Sequence, residues 1–397
     1  MSASELKELN ITFGNIEDES KPFLIFDERI INFLNEIHLE IKCNKSANIY
    51  PDLVTFGFWC RKVNLKKQSE HYIDKPFMIG RGKVLHITPS NVPMNFAYSF
   101  AFGLLSGNIN LVRLPSKNFE QTIILCKIIK KISKKKNYNF IINRLCLFQY
   151  NRSDKISNYL SSTVDARLIW GGDETINQFR KYKVQPRCVD LNFANRHSIS
   201  IISKEKISRL NQLELKNLIR KFYNDCYLMD QQGCSSPQAI IWIGKGNDKI
   251  IKKFWKLFLE YVKLNYSSDI SITNKKFSLL AQSAVDSSVK FKSKYEDVRL
   301  VRLSVSNLND DIQNINVNFG TFVEMNINDL KEIKNIFSKK SQTVTYFGVD
   351  EKKLRNFILE NGISGIDRLV IVGRAHDMGH IWDGYDIVYS LSRIISN

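Results

Sequence analysis

The sequence predicts an α/β protein built on mostly parallel, doubly wound sheets, and three features carry that expectation. From Lys83 onward, short apolar runs of strand length alternate with longer runs at helical spacing,. The junctions hold turn residues, among them Pro89, Gly107-Asn108 and Gly171-Gly172,. The 397 residues are 43% hydrophobic and 25% charged, a folded chain with core enough for two domains,. Strands that alternate with helices are joined by crossovers, which makes the strands parallel.

The first 75 residues read as a helical segment, and Ile30–Ile41 spaces its apolar residues for one helix face,. Met1–Asn10 lacks the basic and apolar regions of a signal peptide,. Lys83–Thr88 predicts a strand stopped by Pro89, and Ala97–Leu105 a helix closed by Gly107-Asn108,. Asn110–Leu114 predicts the next strand and Phe119–Ile132 the next helix. Phe140–Gln149 and Ala166–Trp170 predict further strands, and Asp173–Tyr182 the helix after the double-glycine turn. Ser198–Ser203 follows as a strand and Leu213–Met229 as a long helix. Ala239–Ile243 opens a second series that runs to about Ile387. The expected divisions are 1–75, 76–205 and 206–397, with the C-terminal segment able to pack back on the middle domain.

Lys and Arg number 58 against 40 Asp and Glu, a formal net charge of +18. The densest run, Lys127–Lys136, alternates Ile and Lys at helical spacing and reads as a solvated helix face,. It has no interleaved aromatics to stack bases, which argues against nucleic-acid binding,. The 7 Cys are scattered without a CxxC pair, as in a reduced, cytoplasmic protein,. The most apolar stretch, Asn95–Leu105, is about half the ~20 residues of a membrane span, so no span is expected,.

Four segments can carry chemistry. Cys234, in Asp230-Gln-Gln-Gly-Cys-Ser-Ser-Pro237, sits in a turn after a helix, where a thiol is accessible and backbone amides can stabilise its thiolate,. The other cysteines mostly lie in apolar runs and read as core fillers,. Asn91, in Thr88-Pro-Ser-Asn-Val-Pro93, can aim its amide at a developing oxyanion; Asn is also an ordinary turn residue,. Gly171 and Gly172 open a helix whose amides can meet a phosphate, without the full GxGxxG spacing,. Arg113, Ser116 and Lys117 end a strand in the same series and can bind a ribose or its 2′-phosphate; surface cations are equally ordinary in this chain,. His376 and His380 are spaced i, i+4, but Asp377 stands where a zincin has Glu, Gly379 weakens a helix and no third ligand is evident, so no metal site is expected,.

Taken in order, these segments resemble the aldehyde dehydrogenase superfamily: Asn91-Val-Pro93, then Gly107-Asn108 to Arg113 and Ser116, then Gly171-Gly172, then Gly233-Cys234. Within it, the sequence is most similar to the acyl-CoA reductase branch, the LuxC type of bacterial luminescence systems. Gly365-Ile-Asp-Arg368-Leu-Val-Ile-Val-Gly373, Trp382-Asp-Gly-Tyr-Asp386 and Ser392-Arg393 carry that likeness, with Gln231–Pro237 and Gly80–Pro93. It runs from about residue 75 to the end.

The resemblance implies two Rossmann-like domains, cofactor-binding over 76–205 and catalytic over 206–397. It implies that Cys234 attacks an acyl thioester, with the oxyanion held by Asn91 and the Cys234 amide, and that NADPH reduces the resulting acyl-enzyme to an aldehyde. By the same likeness Arg113, Ser116 and Lys117 are candidates for the 2′-phosphate end, Gly171 and Gly172 for the pyrophosphate and Glu324 for the nicotinamide ribose. His197 and His86 are the polar neighbours to test as proton carriers. Asp190-Leu-Asn-Phe-Ala-Asn-Arg196 stands where hydrolytic members keep a Glu base and does not hold that Glu in register. The implied partners are acyl-CoA or an acyl-protein thioester, an acyl-protein synthetase and a second copy of the chain. Alternatives are a reductase acting on a partner-bound acyl group in another pathway, such as glycan decoration, and an aldehyde-oxidising relative.

Overall fold

The computed structural model describes residues 8–16, 20–74, 77–246, 248–267, 270–286, 291–305 and 317–396. The expected division at 75/76 and the segment 1–7 lie outside the described residues. The chain forms two compact units, Met1–Asn195 with Met378–Asn397, and Arg196–Asp377. The change of unit falls at 195/196 rather than near 205, because the strand at 197–203 hydrogen-bonds into the second sheet.

The first unit holds β1 (Asn10–Phe13), β2 (Met78–Gly80), β3 (Lys83–Ile87), β4 (Ile109–Arg113), β5 (Leu145–Gln149), β6 (Ala166–Trp170) and β7 (Val189–Phe193). Its main sheet has the order β1-β5-β4-β3-β6-β7, parallel except for the antiparallel edge β1. β2 pairs instead with the C-terminal strand Ser392–Ile394. The winding runs from β3 outward to β5, then crosses back to β6 and β7, so it reverses between β3 and β6,. β4 and β6 are buried almost throughout, the continuous burial expected of parallel strands covered on both faces,. The helix Glu28–Cys43 buries Ile30, Ile31, Phe33, Leu34, Ile37 and Ile41, and Asp27 caps it through the Arg29 amide, a cap worth about 1 kcal/mol,.

Two expectations change here, and one strand appears that the sequence reading did not single out. The segment before residue 75 includes β1 as well as helices. Residues 139–143 form a 3-10 turn, so the strand expected from Phe140 begins at Leu145. Val189–Phe193 is a strand, stacked through Phe193 on Trp170 at 3.7 Å between ring centroids.

The second unit holds β8 (His197–Ser203), β9 (Pro237–Ile243), β10 (Phe291–Asp297), β11 (Leu300–Val305), β12 (Thr321–Ile327), β13 (Ser341–Phe347) and β14 (Arg368–Ile371). The sheet order is β10-β11-β12-β9-β8-β13-β14, parallel except for β10. The helix Gln212–Tyr227, closed at its start by an Asn211–Glu214 capping box, leads into the turn before β9,. One face of the sheet packs an aromatic core that includes Phe222, Trp242, Phe254, Trp255, Phe258 and Phe322,. Among the described residues, no helix is long and apolar enough to cross a membrane.

Candidate active site

In the second unit the expected nucleophile lies on a heavily tied turn. Asp230 and Gln231, which end the helix overhang, both adopt left-handed backbone angles, φ 50° and 59°,. The Gln231 side chain offsets that strain. It is fully buried, and its Nε2 donates to Pro237 O and Thr321 O at 2.8 and 2.9 Å. Its Oε1 accepts from the Gly320 and Thr321 amides at 3.1 and 3.2 Å. Asp230 accepts from Tyr266 Oη at 2.7 Å. Gly233 is buried, with Met229 Cε 2.9 Å from where a Cβ would stand.

Cys234 itself is half-buried. Gln342 Nε2, at the start of β13, donates to Cys234 Sγ at 3.0 Å. Ser198 Oγ, at the start of β8, donates to the Cys234 carbonyl at 2.6 Å and accepts from the Thr343 amide. The flanking Ser235 and Ser236 hydroxyls meet His376 Nδ1 and Nε2 at 3.0 and 3.4 Å. Burial holds His376 neutral, its pKa pushed down to about 4,. Behind it, Asp225 accepts from the Gly373 and Ala375 amides at 2.6 and 2.9 Å, and burial raises its carboxyl to about 7. The turn is thus tied at the Cys234 carbonyl and at both flanking serines, and a neutral donor, the Gln342 amide, meets the sulfur. Burial raises the pKa of Cys60, Cys126, Cys146, Cys188 and Cys226 above the ordinary thiol value, which keeps them unreactive,.

In the first unit, Asn91 is exposed on the turn after β3. Thr88 Oγ1 donates to Arg113 O at 2.7 Å, and Thr122 Oγ1 to Pro93 O at 3.2 Å, so both ends of that turn are fixed. Arg113 closes β4, its guanidinium 4.3 Å from the Tyr150 ring centroid,. It lines a cavity of about 500 Å³ with Arg152, Ser153, Glu174, Thr175 and Lys181. That volume suits a nucleotide. The cations suit phosphate oxygens, and Glu174 suits ribose hydroxyls. Ser116 and Lys117 are exposed on the loop after β4 and do not line this cavity. Gly171 and Gly172 follow β6, and Gly172 caps the helix Asp173–Phe179 that forms one cavity wall.

Several expectations are corrected. Glu324 is buried on β12 and its oxygens are taken up by the core. Oε1 accepts from Arg302 and Ser304 at 2.5 and 2.9 Å, and Oε2 from Trp255 and Trp242 at 2.9 and 3.4 Å. It is a structural ion-pair partner, and the ribose role does not fit it. His86 is sealed between Ser99 and Asn110 at 2.8 and 2.9 Å, its pKa pushed down to about 4 by burial, and reads as a core histidine. His197 opens β8, contacts Ser341 Oγ at 3.2 Å, and is pushed down to about 4 by burial beside Arg196 and Lys340. Residues 374–380 form turns rather than a helix, and His376 and His380 belong to different units, so they share no face. Asp190 is held by Arg167 in a two-pronged pair at 2.7 and 2.5 Å. Gln342, Ser198 and Arg152 were not singled out by the sequence.

A family model described as acyl-CoA reductase (LuxC) matches residues 63–396. A long-chain acyl-protein thioester reductase from Aliivibrio fischeri is 24% identical over 336 residues, 79% of this chain and 66% of that protein. A second such reductase, from Photobacterium leiognathi, is 23% identical over 351 residues, 85% of this chain and 69% of that one. The chain thus spans about two thirds of these relatives' length. Lactaldehyde dehydrogenase from Escherichia coli superposes with a TM-score of 0.62 at 14% identity, covering 92% of this chain and 85% of that one. Glyceraldehyde-3-phosphate dehydrogenase from Methanocaldococcus jannaschii, complexed with NADP, gives 0.60 at 16% identity, covering 93% and 88%. These two establish an aldehyde dehydrogenase fold with Rossmann-like sheets.

Proposed function

The chain belongs to the acyl-CoA reductase (LuxC) family, and from that premise we propose that it reduces an acyl thioester to an aldehyde through an acyl-enzyme on Cys234. The observation that carries the reading is the 3.0 Å contact from the Gln342 amide to Cys234 Sγ on a turn that is otherwise fully tied. A neutral donor on sulfur favours the thiolate without adding a charge that would compete with the thioester carbonyl. The thiolate attacks that carbonyl, the C–S bond to the donor thiol breaks, and a new thioester to Cys234 remains. Asn91 and the Cys234 backbone amide are proposed as donors to the oxyanion of each tetrahedral intermediate.

Arg113, Arg152 and the Gly171-Gly172 turn would hold NADPH, which would supply the hydride that, with one proton from solvent, takes the Cys234 thioester to the aldehyde and the free Cys234 thiol. Two features support reduction over hydrolysis. The stretch Asp190–Arg196, which matches the segment where hydrolytic relatives keep a Glu base, does not hold that Glu in register, and its Asp190 is paired to Arg167. His197, its pKa pushed down to about 4 by burial, is neutral at pH 7 and too weak a base there to activate a water,. The relatives' names point to an acyl-protein donor and the family description to acyl-CoA; both are thioesters that this thiol can receive. A reduced, cytoplasmic setting fits a reaction that depends on a free thiol.

The test is purified protein with acyl-CoAs of graded length and with an acylated carrier protein, following NADPH or NADH oxidation and trapped aldehyde. Cys234→Ala is expected to abolish turnover and labelling by radioactive acyl thioester, at least about 10³-fold, with folding unchanged. Persistence of labelling in that variant overturns the assignment.

A further inference from the structure

We propose that His71, His380 and Asp386 of the first unit form a binding site for a zinc-type divalent cation, independent of the reaction above. The three come from separate places: His71 from the 3-10 turn Glu70–Tyr72, His380 from the loop after Met378, and Asp386 from the cap of the helix Ile387–Ser390. One candidate ligand atom from each lies within 4.8 Å of the others. His71 Nε2 stands 3.9 Å from Asp386 Oδ2, and the two imidazole centroids are 4.7 Å apart. Tetrahedral zinc at bonds of about 2.0–2.2 Å sets its ligands roughly 3.5 Å apart. Closing the cluster takes side-chain shifts of about 1 Å, with a fourth position for water.

Two observations point to an ion rather than to a surface ion pair. His380 Nε2 is buried and has no hydrogen-bond partner. A buried nitrogen left unpaired costs about 1–3 kcal/mol, a cost that a metal bond removes. The His71–Asp386 pair alone leaves that nitrogen unexplained. In addition, Asp386 is already held as a ligating carboxylate is held. Its Oδ1 accepts from Tyr72 Oη at 2.6 Å and from the Tyr389 amide at 2.9 Å, which turns Oδ2 toward His71,.

Two imidazoles and one carboxylate are borderline donors, the set that takes zinc in preference to calcium or magnesium. Such an ion joins the 70–72 turn to the loop at 380–386. That loop is closed on itself by Ile387 N to His380 O, and the segment is also tied to the rest of the first unit by Trp59 Nε1 to Met378 O and Tyr72 Oη to Asp386 Oδ1. The site is therefore structural, a staple on the returning C-terminal segment.

The test uses the full chain, stripped with chelator and titrated with Zn²⁺ by calorimetry and with Co²⁺ by absorption. Wild type is expected to bind one Zn²⁺ and to show tetrahedral Co²⁺ bands without thiolate charge transfer, before and after N-ethylmaleimide blocks the cysteines. His71→Gln, at a half-exposed side chain, and Asp386→Asn, which keeps a capping oxygen, are expected to weaken Zn²⁺ binding by at least about tenfold. Zn²⁺ is expected to raise the Tm of wild type and not of His71→Gln, with the two metal-free forms melting together. Absence of binding, equal binding by wild type and both variants, or loss of binding after N-ethylmaleimide overturns the proposal.

Discussion

The two units share a winding and use opposite ends of it. In the first, the candidate residues follow the carboxyl ends of strands: Asn91 after β3, Arg113 closing β4, Gly171-Gly172 after β6. In the second they sit at amino ends: Ser198 opens β8, Cys234 precedes β9 and Gln342 opens β13. Carboxyl ends come with loops and helix starts whose amides receive a ligand directly, and the first unit adds only a few side chains to them. Amino ends have no such amides to spare. The second unit supplies polar side chains from the strands and the turn itself, and most of them bond to the backbone of the turn and its neighbours. One region is an open cavity, and the other is a frame built around a thiol.

The sharpest break in that frame is Gln231→Leu. Four backbone groups lose a hydrogen bond at once, two carbonyls and two amides, and of these the Thr321 amide keeps Asn318 O at 3.2 Å. At about 1–3 kcal/mol for each buried group left unpaired, with partial relaxation, the expected loss is roughly 3–5 kcal/mol. Hydrogen exchange read by mass spectrometry is expected to show lost protection over β9 and β12, with β3, β4 and β6 unchanged. Equal loss in both sheets means the units unfold together, and the contrast between frame and cavity is then one of chemistry and not of stability.

A smaller effect separates the two regions by function. Gln342→Leu removes the donor at Cys234 Sγ and is expected to slow alkylation of Cys234 by iodoacetamide by about 10–100-fold, with its pH profile displaced upward,. Arg113→Ala is the matched change in the cavity. It is expected to leave alkylation as it was and to weaken NADPH binding by about tenfold,. Equal alkylation of wild type and Gln342→Leu shows that the amide does not set thiol reactivity.

How much of this was legible follows from how far apart the partners lie. The alternation of strands and helices gave both sheets because it is local, and Cys234 stood out because a Gly/Ser/Pro turn after a helix is local too. Gln342 reaches that thiol from 108 residues away, and nothing near it distinguishes its amide from that of any other strand glutamine. Glu324 misled for the same reason. A lone acid in a strand reads as an edge residue until Arg302, Ser304 and Trp255 are seen to surround it. The histidine pair at 376 and 380 invited a local reading, whereas the partners of His380 are His71 and Asp386, one of them remote in sequence. Asp225 was hidden inside an amphipathic helix, on the face that buries Leu218, Phe222 and Tyr223.

Asp225 gives the smallest and most selective test. Its carboxyl ties that helix to the turn before His376, and burial raises its pKa to about 7, above the ordinary carboxyl value. A raised folded-state pKa means that the folded form holds a proton the unfolded form has released. The stability this contributes is present in full below the unfolded pKa and is lost as pH climbs through about 7. Between about pH 6 and 8 the loss amounts to roughly 1.4 kcal/mol. Asp225→Asn keeps an acceptor oxygen and cannot titrate, so urea unfolding of the second unit is expected to lose that slope in the variant. Parallel slopes mean that the carboxyl is ionised throughout and that the two amides alone hold it. His86, His197 and His376 act in the opposite sense. Their pKa values are lowered to about 4, so the stability they carry is present above the unfolded value near 6.5 and lost as pH falls toward 4,. Acid therefore loosens both units, through His86 in the first and the other two in the second. From Asp225, a loss of stability is expected in the second unit, around the thiol, as pH rises from about 4 through about 7, levelling off above that,.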